Sequence, residues 1–155
     1  MMLKKPETPA EGDPALFVFF NEIGIINQLA TAQMERSLPD GLRLSHFSVL
    51  SNFVRLGGTR TPAQLASAFQ VTKGAMTNTL QKLEAKGFIR IRSNPDDGRG
   101  KIVSITEKGR RVRNKAVAAL APSFVEFQAA FPMANVEKAL PTLQAVRKIL
   151  DEARN

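Results

Sequence analysis

Thr61 to Thr106 reads TPAQLASAFQVTKGAMTNTLQKLEAKGFIRIRSNPDDGRGKIVSIT, and this stretch decides the fold. Thr61-Pro62-Ala63-Gln64 is a helix start: Thr61 caps, Pro62 suits the first helical position, and Gln64 can reach back as in a capping box. That helix should end by about Gln70. Thr72 caps a second helix, which stops at Gly87, a residue suited to the left-handed position beyond a helix end. Two helices joined by so short a connection form a helix-turn-helix. At 100° per residue, Met76, Leu80 and Leu83 share an apolar stripe. Gly74, Asn78, Gln81 and Lys82 fall opposite, with Lys73 and Thr77 at the flank. Asn and Gln can pair with adenine and Lys with guanine in a major groove, while Gly74 permits close approach. An ordinary solvated helix face would show the same pattern.

Residues beyond the helix favour the DNA reading. Phe88 to Arg92 alternates at period two, and Lys101 to Ile105 is a second β-rich run. Ser93 to Gly100 contains Pro95, Gly98 and Gly100, so a two-stranded ribbon with a mobile tip is expected. Arg90, Arg92, Arg99 and Lys101 concentrate positive charge on it, and Asp97 is placed to orient Arg99 or another basic residue of the ribbon. A helix-turn-helix followed by a basic hairpin is a winged helix. Its wing can insert Arg99 into a minor groove while the second helix occupies the major groove.

The stretch resembles the MarR (multiple antibiotic resistance regulator) family of bacterial transcription factors. The resemblance is carried by Thr72-Lys73-x-x-Met76-Thr77-x-x-Leu80-x-Lys82-Leu83-Glu84-x-Lys86-Gly87-Phe88-Ile89. It continues in Asn94-Pro95-Asp96-Asp97-x-Arg99 and in the exit Thr106-Glu107-Lys108-Gly109. Asn78 stands where many family members carry arginine. The resemblance implies a small aromatic or anionic effector, held between helical arms and the DNA-binding lobe, that changes the spacing of two reading heads.

The charge balance agrees. The 155-residue chain has 22 Lys and Arg against 14 Asp and Glu, a net +8. Ten of those cations lie between Lys86 and Lys115, opposed there by Asp96, Asp97 and Glu107, which points to a polyanionic partner rather than a uniformly basic surface. Without cysteine there is no disulfide framework, thiolate metal site or thiol switch. His46 is the only histidine and reads as a packing or surface residue. No metal site, cofactor or catalytic constellation is indicated. No 18-residue apolar run and no signal peptide are seen, so a cytoplasmic protein without membrane attachment is expected.

Outside the organising stretch, residues 1–12 read as a disordered tail. Asp13-Pro14 opens a helix from about Pro14 to Ser37. Its first half, including Phe17 and Phe20, is apolar nearly all round and suits a subunit interface better than the core of so short a chain. Ser45 is expected to cap a helix reaching Leu56, with Phe47, Leu50, Phe53 and Val54 inward. Gly57-Gly58 should end it, and Thr59-Arg60 is expected to add a short strand beside the wing.

Thr106 should cap a long helix to about Ala130, kinked at Pro122. A last helix, about Asn135 to Ala153, places Val136, Leu140, Leu143, Val146 and Leu150 on one stripe. The expected fold class is therefore mainly α with a small β-wing. Residues 13–37 form an N-terminal dimerisation helix, 38–106 the winged helix-turn-helix, and 107–155 the C-terminal dimerisation helices. The expected function is sequence-specific binding of double-stranded DNA by a homodimeric regulator, a repressor, on a palindromic operator. Lys73, Thr77, Asn78 and Gln81 would contact bases, Thr72 and Lys82 phosphates, Arg99 the minor groove, and Arg92 and Lys101 the backbone beside the wing. The alternative is a winged-helix interaction module that binds protein or structured RNA.

Overall fold

In the computed structural model, which describes residues 12–153, six helices and one hairpin follow in chain order. They are α1 (Ala15–Ser37), α2 (Leu44–Leu56), α3 (Pro62–Phe69), α4 (Lys73–Ala85), β1 (Ile89–Ser93), β2 (Lys101–Ile105), α5 (Glu107–Ala130) and α6 (Met133–Glu152). The tail expected over residues 1–12 lies, apart from Gly12, outside the described residues. The chain divides into two compact units, one Ala15–Leu120 and the other starting again at Ala121 and including Pro14.

Local chemistry places the helix ends of the first unit. Thr61 Oγ1 accepts the Gln64 N–H at 3.1 Å while Gln64 Oε1 accepts the Thr61 N–H at 2.9 Å, a complete capping box. Gln70 takes the left-handed conformation (φ 55°) and so ends α3 without a glycine. Gly87 (φ 71°) ends α4 in a Schellman motif. Its N–H donates to Glu84 O at 2.8 Å and the Phe88 N–H to Leu83 O at 3.0 Å.

The cap of α2 is not Ser45, which is exposed one residue inside the helix. Arg43 is the N-cap, and the third helical residue, His46, closes the turn by accepting the Arg43 N–H on Nδ1 at 3.1 Å. Glu35 Oε1 takes a second free donor, the Leu44 N–H, at 2.9 Å. With the start shifted, the buried face is His46, Val49, Leu50 and Phe53, while Phe47 and Val54 are only half-buried.

β1 and β2 pair antiparallel with Ile91 opposite Val103, and Arg60 exchanges two backbone hydrogen bonds with Val103 on the outer edge of β2. The expected short strand is thus a one-residue bridge. Phe53, Leu80, Leu83 and Val103 are fully enclosed in the core of this unit, each burial contributing roughly 1.5–3 kcal/mol.

The exit from the wing is a clamp. Thr106 Oγ1 donates to Gly87 O at 2.7 Å and accepts the Gly109 N–H at 3.0 Å. A Cβ on Gly109 would collide with the Phe88 carbonyl, so the first turn of α5 sits against the hairpin only because this residue is glycine. α5 then continues unbroken through Pro122, and the boundary between the units falls just before it. α6 begins two residues earlier than the stripe suggests, with Pro132 at its N-cap, and runs through Pro141.

Candidate nucleic-acid interface

The starting point is the cap of α4. Thr72 Oγ1 accepts the Ala75 N–H at 3.1 Å, which fixes Lys73 and Gly74 in the first turn. Met76, Leu80 and Leu83 turn into the core, and Lys73, Gly74, Thr77, Asn78, Gln81 and Lys82 are exposed on the outside. Thr77 donates its hydroxyl to Lys73 O at 2.8 Å, leaving its oxygen as an acceptor. The side chains of Asn78, Gln81 and Lys82 make no hydrogen bond or ion pair among the described residues. The only acid on α4, Glu84, is occupied: its Oε1 accepts the Ile91 N–H at 2.9 Å.

That last bond assigns Glu84 a role that its helical position alone does not announce. Ile91 faces Val103 in the ladder, and its N–H points away from β2. Glu84 therefore holds the free edge of the wing to the C-terminal turn of α4. Arg60 holds the opposite edge. The groove between α4 and the wing, about 370 Å³, brings together Thr77, Gln81, Arg92 and Lys101, with Pro62 and Ser93 also in its lining. Lys73, Gly74, Asn78 and Lys82 lie outside it on the exposed face of α4, and Arg99 lies at the wing tip.

The tip is tied by its own polar groups, contrary to the looseness its glycines suggest. Asn94 Oδ1 accepts the Asp96 N–H and Asp97 Oδ1 the Arg99 N–H, both at 3.1 Å. Gly100 accepts from Asn94 N–H and donates to Asp97 O, both at 2.9 Å. Asp97 thus orients the backbone of Arg99 and not its guanidinium, which has no carboxylate partner among the described residues.

His46 sits on the inner side of this assembly. Burial first, then the charges of Lys82, Lys86 and Arg43, push its imidazole below its ordinary pKa, against an opposing pull from Glu35. No group of three or more metal-ligating side chains occurs among the described residues.

The residues expected to pair two copies are on helices with no buried residue. On α1, Phe17 is 59% exposed, and Phe20 is also uncovered; on α6, Leu140, Leu143 and Leu150 are exposed, with Val136 and Val146 half-buried. α1 contains an 18-residue window of mean hydropathy 1.3, long and apolar enough to cross a membrane by those two measures. Asn21, Glu22, Asn27 and Gln28 interrupt it, so the helix holds no uninterrupted run of 18 apolar residues.

The profile of the MarR family matches residues 40–100. Multiple antibiotic resistance protein MarR of Salmonella typhimurium is 34% identical over an alignment of 98 residues that covers 58% of this chain and 67% of that protein. Among solved structures, the transcriptional regulator BldR from Sulfolobus solfataricus is 30% identical with a TM-score of 0.76, over 86% of this chain and 94% of that one. A mutant MarR from Escherichia coli, solved with operator DNA, has a TM-score of 0.75 at 24% identity, over 84% of this chain and 94% of that one. A capped helix-turn-helix, a tied basic wing, and these matches in sequence and fold have one reading: the chain belongs to the MarR family of transcriptional regulators.

Proposed function

We propose that this regulator binds double-stranded DNA sequence-specifically, as a homodimeric repressor on a palindromic operator in the cytoplasm. The observation that carries the reading is the exposed face of α4, where Asn78, Gln81 and Lys82 have no side-chain partner and no competing acid, beside a wing whose Arg99 guanidinium has no carboxylate partner among the described residues. Lys73, Thr77, Asn78 and Gln81 contact base edges, and Gly74 lets the helix come close. Thr72 keeps its hydroxyl proton for a phosphate, and Lys82 takes another. Arg99 enters the minor groove while Arg92 and Lys101 hold the wing to the DNA backbone, and Asp97 fixes the Arg99 main chain. Phe17 and Phe20 of α1, with the α6 stripe from Val136 to Leu150, pair the two copies through residues 13–37 and 107–155. The segment between, 38–106, is the reading head. A small aromatic or anionic effector that alters head spacing completes the proposal. The operator complex of the Escherichia coli relative, similar in fold, supports the DNA reading.

The test is gel retardation of genomic fragments with random duplex and structured RNA as competitors. Asn78→Ala should cost about 1–3 kcal/mol on the selected site and relax preference at one base position. Lys82→Ala should weaken all duplexes alike and lower the salt slope by about one. RNA competing as well as the selected duplex would overturn the assignment.

A further inference from the structure

Two aspartates of this chain are followed by glycine, in the steps Asp40-Gly41 and Asp97-Gly98. Such a step contains its own reactants. The glycine nitrogen can attack the side-chain carboxyl carbon of the aspartate, because no side chain shields it and the backbone there turns freely. The surroundings of the two steps differ.

Asp40 is held at both ends. Its carboxylate pairs with Lys115 Nζ at 3.3 Å, and its main-chain oxygen accepts from Lys86 Nζ at 2.9 Å. Leu38 and Leu42 on either side of it are buried, and the Leu42 N–H donates to Pro39 O to close the turn. Neither the carboxyl nor the main chain can swing without breaking these contacts.

Asp97 is under no such restraint. Pro95, Asp96, Asp97, Gly98 and Arg99 are all exposed, and no cation lies within salt-bridge distance of the Asp97 carboxylate among the described residues. Gly98 lies outside the left-handed region and a Cβ on it would meet nothing within 4 Å, so the fold does not require this glycine. Its N–H makes no hydrogen bond among the described residues. The Arg99 N–H, donating to Asp97 Oδ1 at 3.1 Å, folds the carboxyl over the following peptide. Gly98 N is part of the loop which that bond closes, so nucleophile and carboxyl carbon lie on the same side of the chain.

We propose that Asp97 is a modification site, cyclised onto Gly98 as a succinimide and then hydrolysed to isoaspartate. Gly98 N forms a bond to Asp97 Cγ, the Cγ–OH bond breaks, and the nitrogen's proton leaves with the hydroxyl as water. A water then adds to one of the two ring carbonyls. Opening at Cγ restores aspartate; opening at the main-chain carbonyl gives isoaspartate, whose main chain runs through the former side chain and is one methylene longer. Water is the only co-reactant, and nothing is oxidised or reduced. The oxygens that accept from Arg99 N–H and Gly100 N–H both change place, so the tip loses the two bonds that Asp97 supplies. The consequence for binding rests on the DNA reading: Arg99 is no longer presented to the minor groove, and operator affinity falls as the protein ages.

The test incubates the intact protein for weeks at neutral pH and then digests it with trypsin. Cleavage after Arg36, Arg43, Arg92 and Arg99 places the two steps in separate peptides, residues 37–43 and 93–99. Isomers of equal mass are separated by chromatography and identified by electron-transfer fragmentation. Isoaspartate should accumulate severalfold faster in 93–99 than in 37–43, and unfolding in urea should remove most of that difference. Gly98→Ala, which fits without strain, should slow accumulation in 93–99 severalfold. On the operator, aged wild type should lose affinity in proportion to its isoaspartate content, while equally aged Gly98→Ala retains its own starting affinity. Equal rates in the two peptides of the folded protein, or a difference just as large in urea, overturn the proposal. So does aged protein that is isomerised at Asp97 and binds as before. Fresh protein that selects no duplex would defeat the DNA reading instead, and the peptide rates would still decide whether Asp97 is the site.

Discussion

At Gly74 the backbone has an ordinary φ, and a Cβ would meet nothing within 4 Å. Folding therefore does not explain the glycine, and alanine in a helix is favoured over glycine by up to about 1 kcal/mol. Gly74→Ala should leave the thermal midpoint unchanged or raised while weakening operator binding, because the added methyl stands between helix and DNA. Unchanged affinity would show that α4 does not approach this closely. His46 is bound to its environment in the opposite way. Its folded pKa lies below the unfolded value of about 6.5, so the unfolded chain takes up the proton more readily. The stability it contributes is complete above that value and is lost as pH falls through the folded pKa. His46→Gln keeps an acceptor for the Arg43 N–H without a titrating group. Urea midpoints from pH 7.5 to 5 should show the wild type losing ground to His46→Gln on acidification; parallel curves would clear His46 of this role.

The wing is the element in which local bonds matter most to the proposed contact. Because Asn94 and Asp97 already close the tip, little backbone order remains to be imposed when Arg99 meets DNA, which otherwise costs about 1–2 kcal/mol per residue fixed. Arg99→Ala should lose most operator affinity, and lose more on operators with A·T-rich flanks, where a narrow minor groove has its strongest negative potential. Asp97→Asn retains the oxygen that accepts the Arg99 N–H and should bind nearly as the wild type does, whereas Asp97→Ala should not. Titrations at one fixed salt concentration on operators differing only in their flanks decide this. Equal losses on both flank types would reduce Arg99 to a phosphate contact. Much of the helix-turn-helix beside the wing was legible in the sequence, because Thr61, Thr72 and Gly87 act on neighbours within a few residues. Which part of Arg99 the carboxylate of Asp97 orients is not legible there, since only coordinates separate a bond to the guanidinium from one to the main chain two residues on. Glu84 gripping Ile91, and His46 taking over the cap expected of Ser45, likewise depend on how the turn starts and where an edge faces.

Across the whole chain, long-range polar contacts were invisible to pattern reading: Lys86 reaches back 46 residues to Asp40 and Lys115 reaches 75. Apolar surplus, by contrast, is a property of composition and was read directly. α1 and α6 have no buried residue, and Leu16, Ile26, Val125 and Phe127 are at least 58% exposed, with Leu140, Leu143 and Leu150 of the stripe exposed as well. Scattered exposed leucines need no explanation, but whole uncovered helix faces at both ends of a chain do. A second copy covers them in the homodimer proposed here, and obligate pairs of this kind bury roughly 2,000 Å² or more. Removing residues 135–155 should then yield monomers or aggregates in sedimentation experiments, since α1 keeps its apolar face without the α6 stripe. Leu143→Glu with Leu150→Glu is the gentler arm: neither side chain supports a core, so the reading head should stay folded by circular dichroism while the dimer dissociates. The hydropathy of α1 supplies the competing outcome, a helix lying in lipid, and flotation of the intact protein with vesicles would detect it. A folded monomer of the intact protein at micromolar concentration, in the absence of lipid, would remove the dimer and with it the paired heads a palindrome requires.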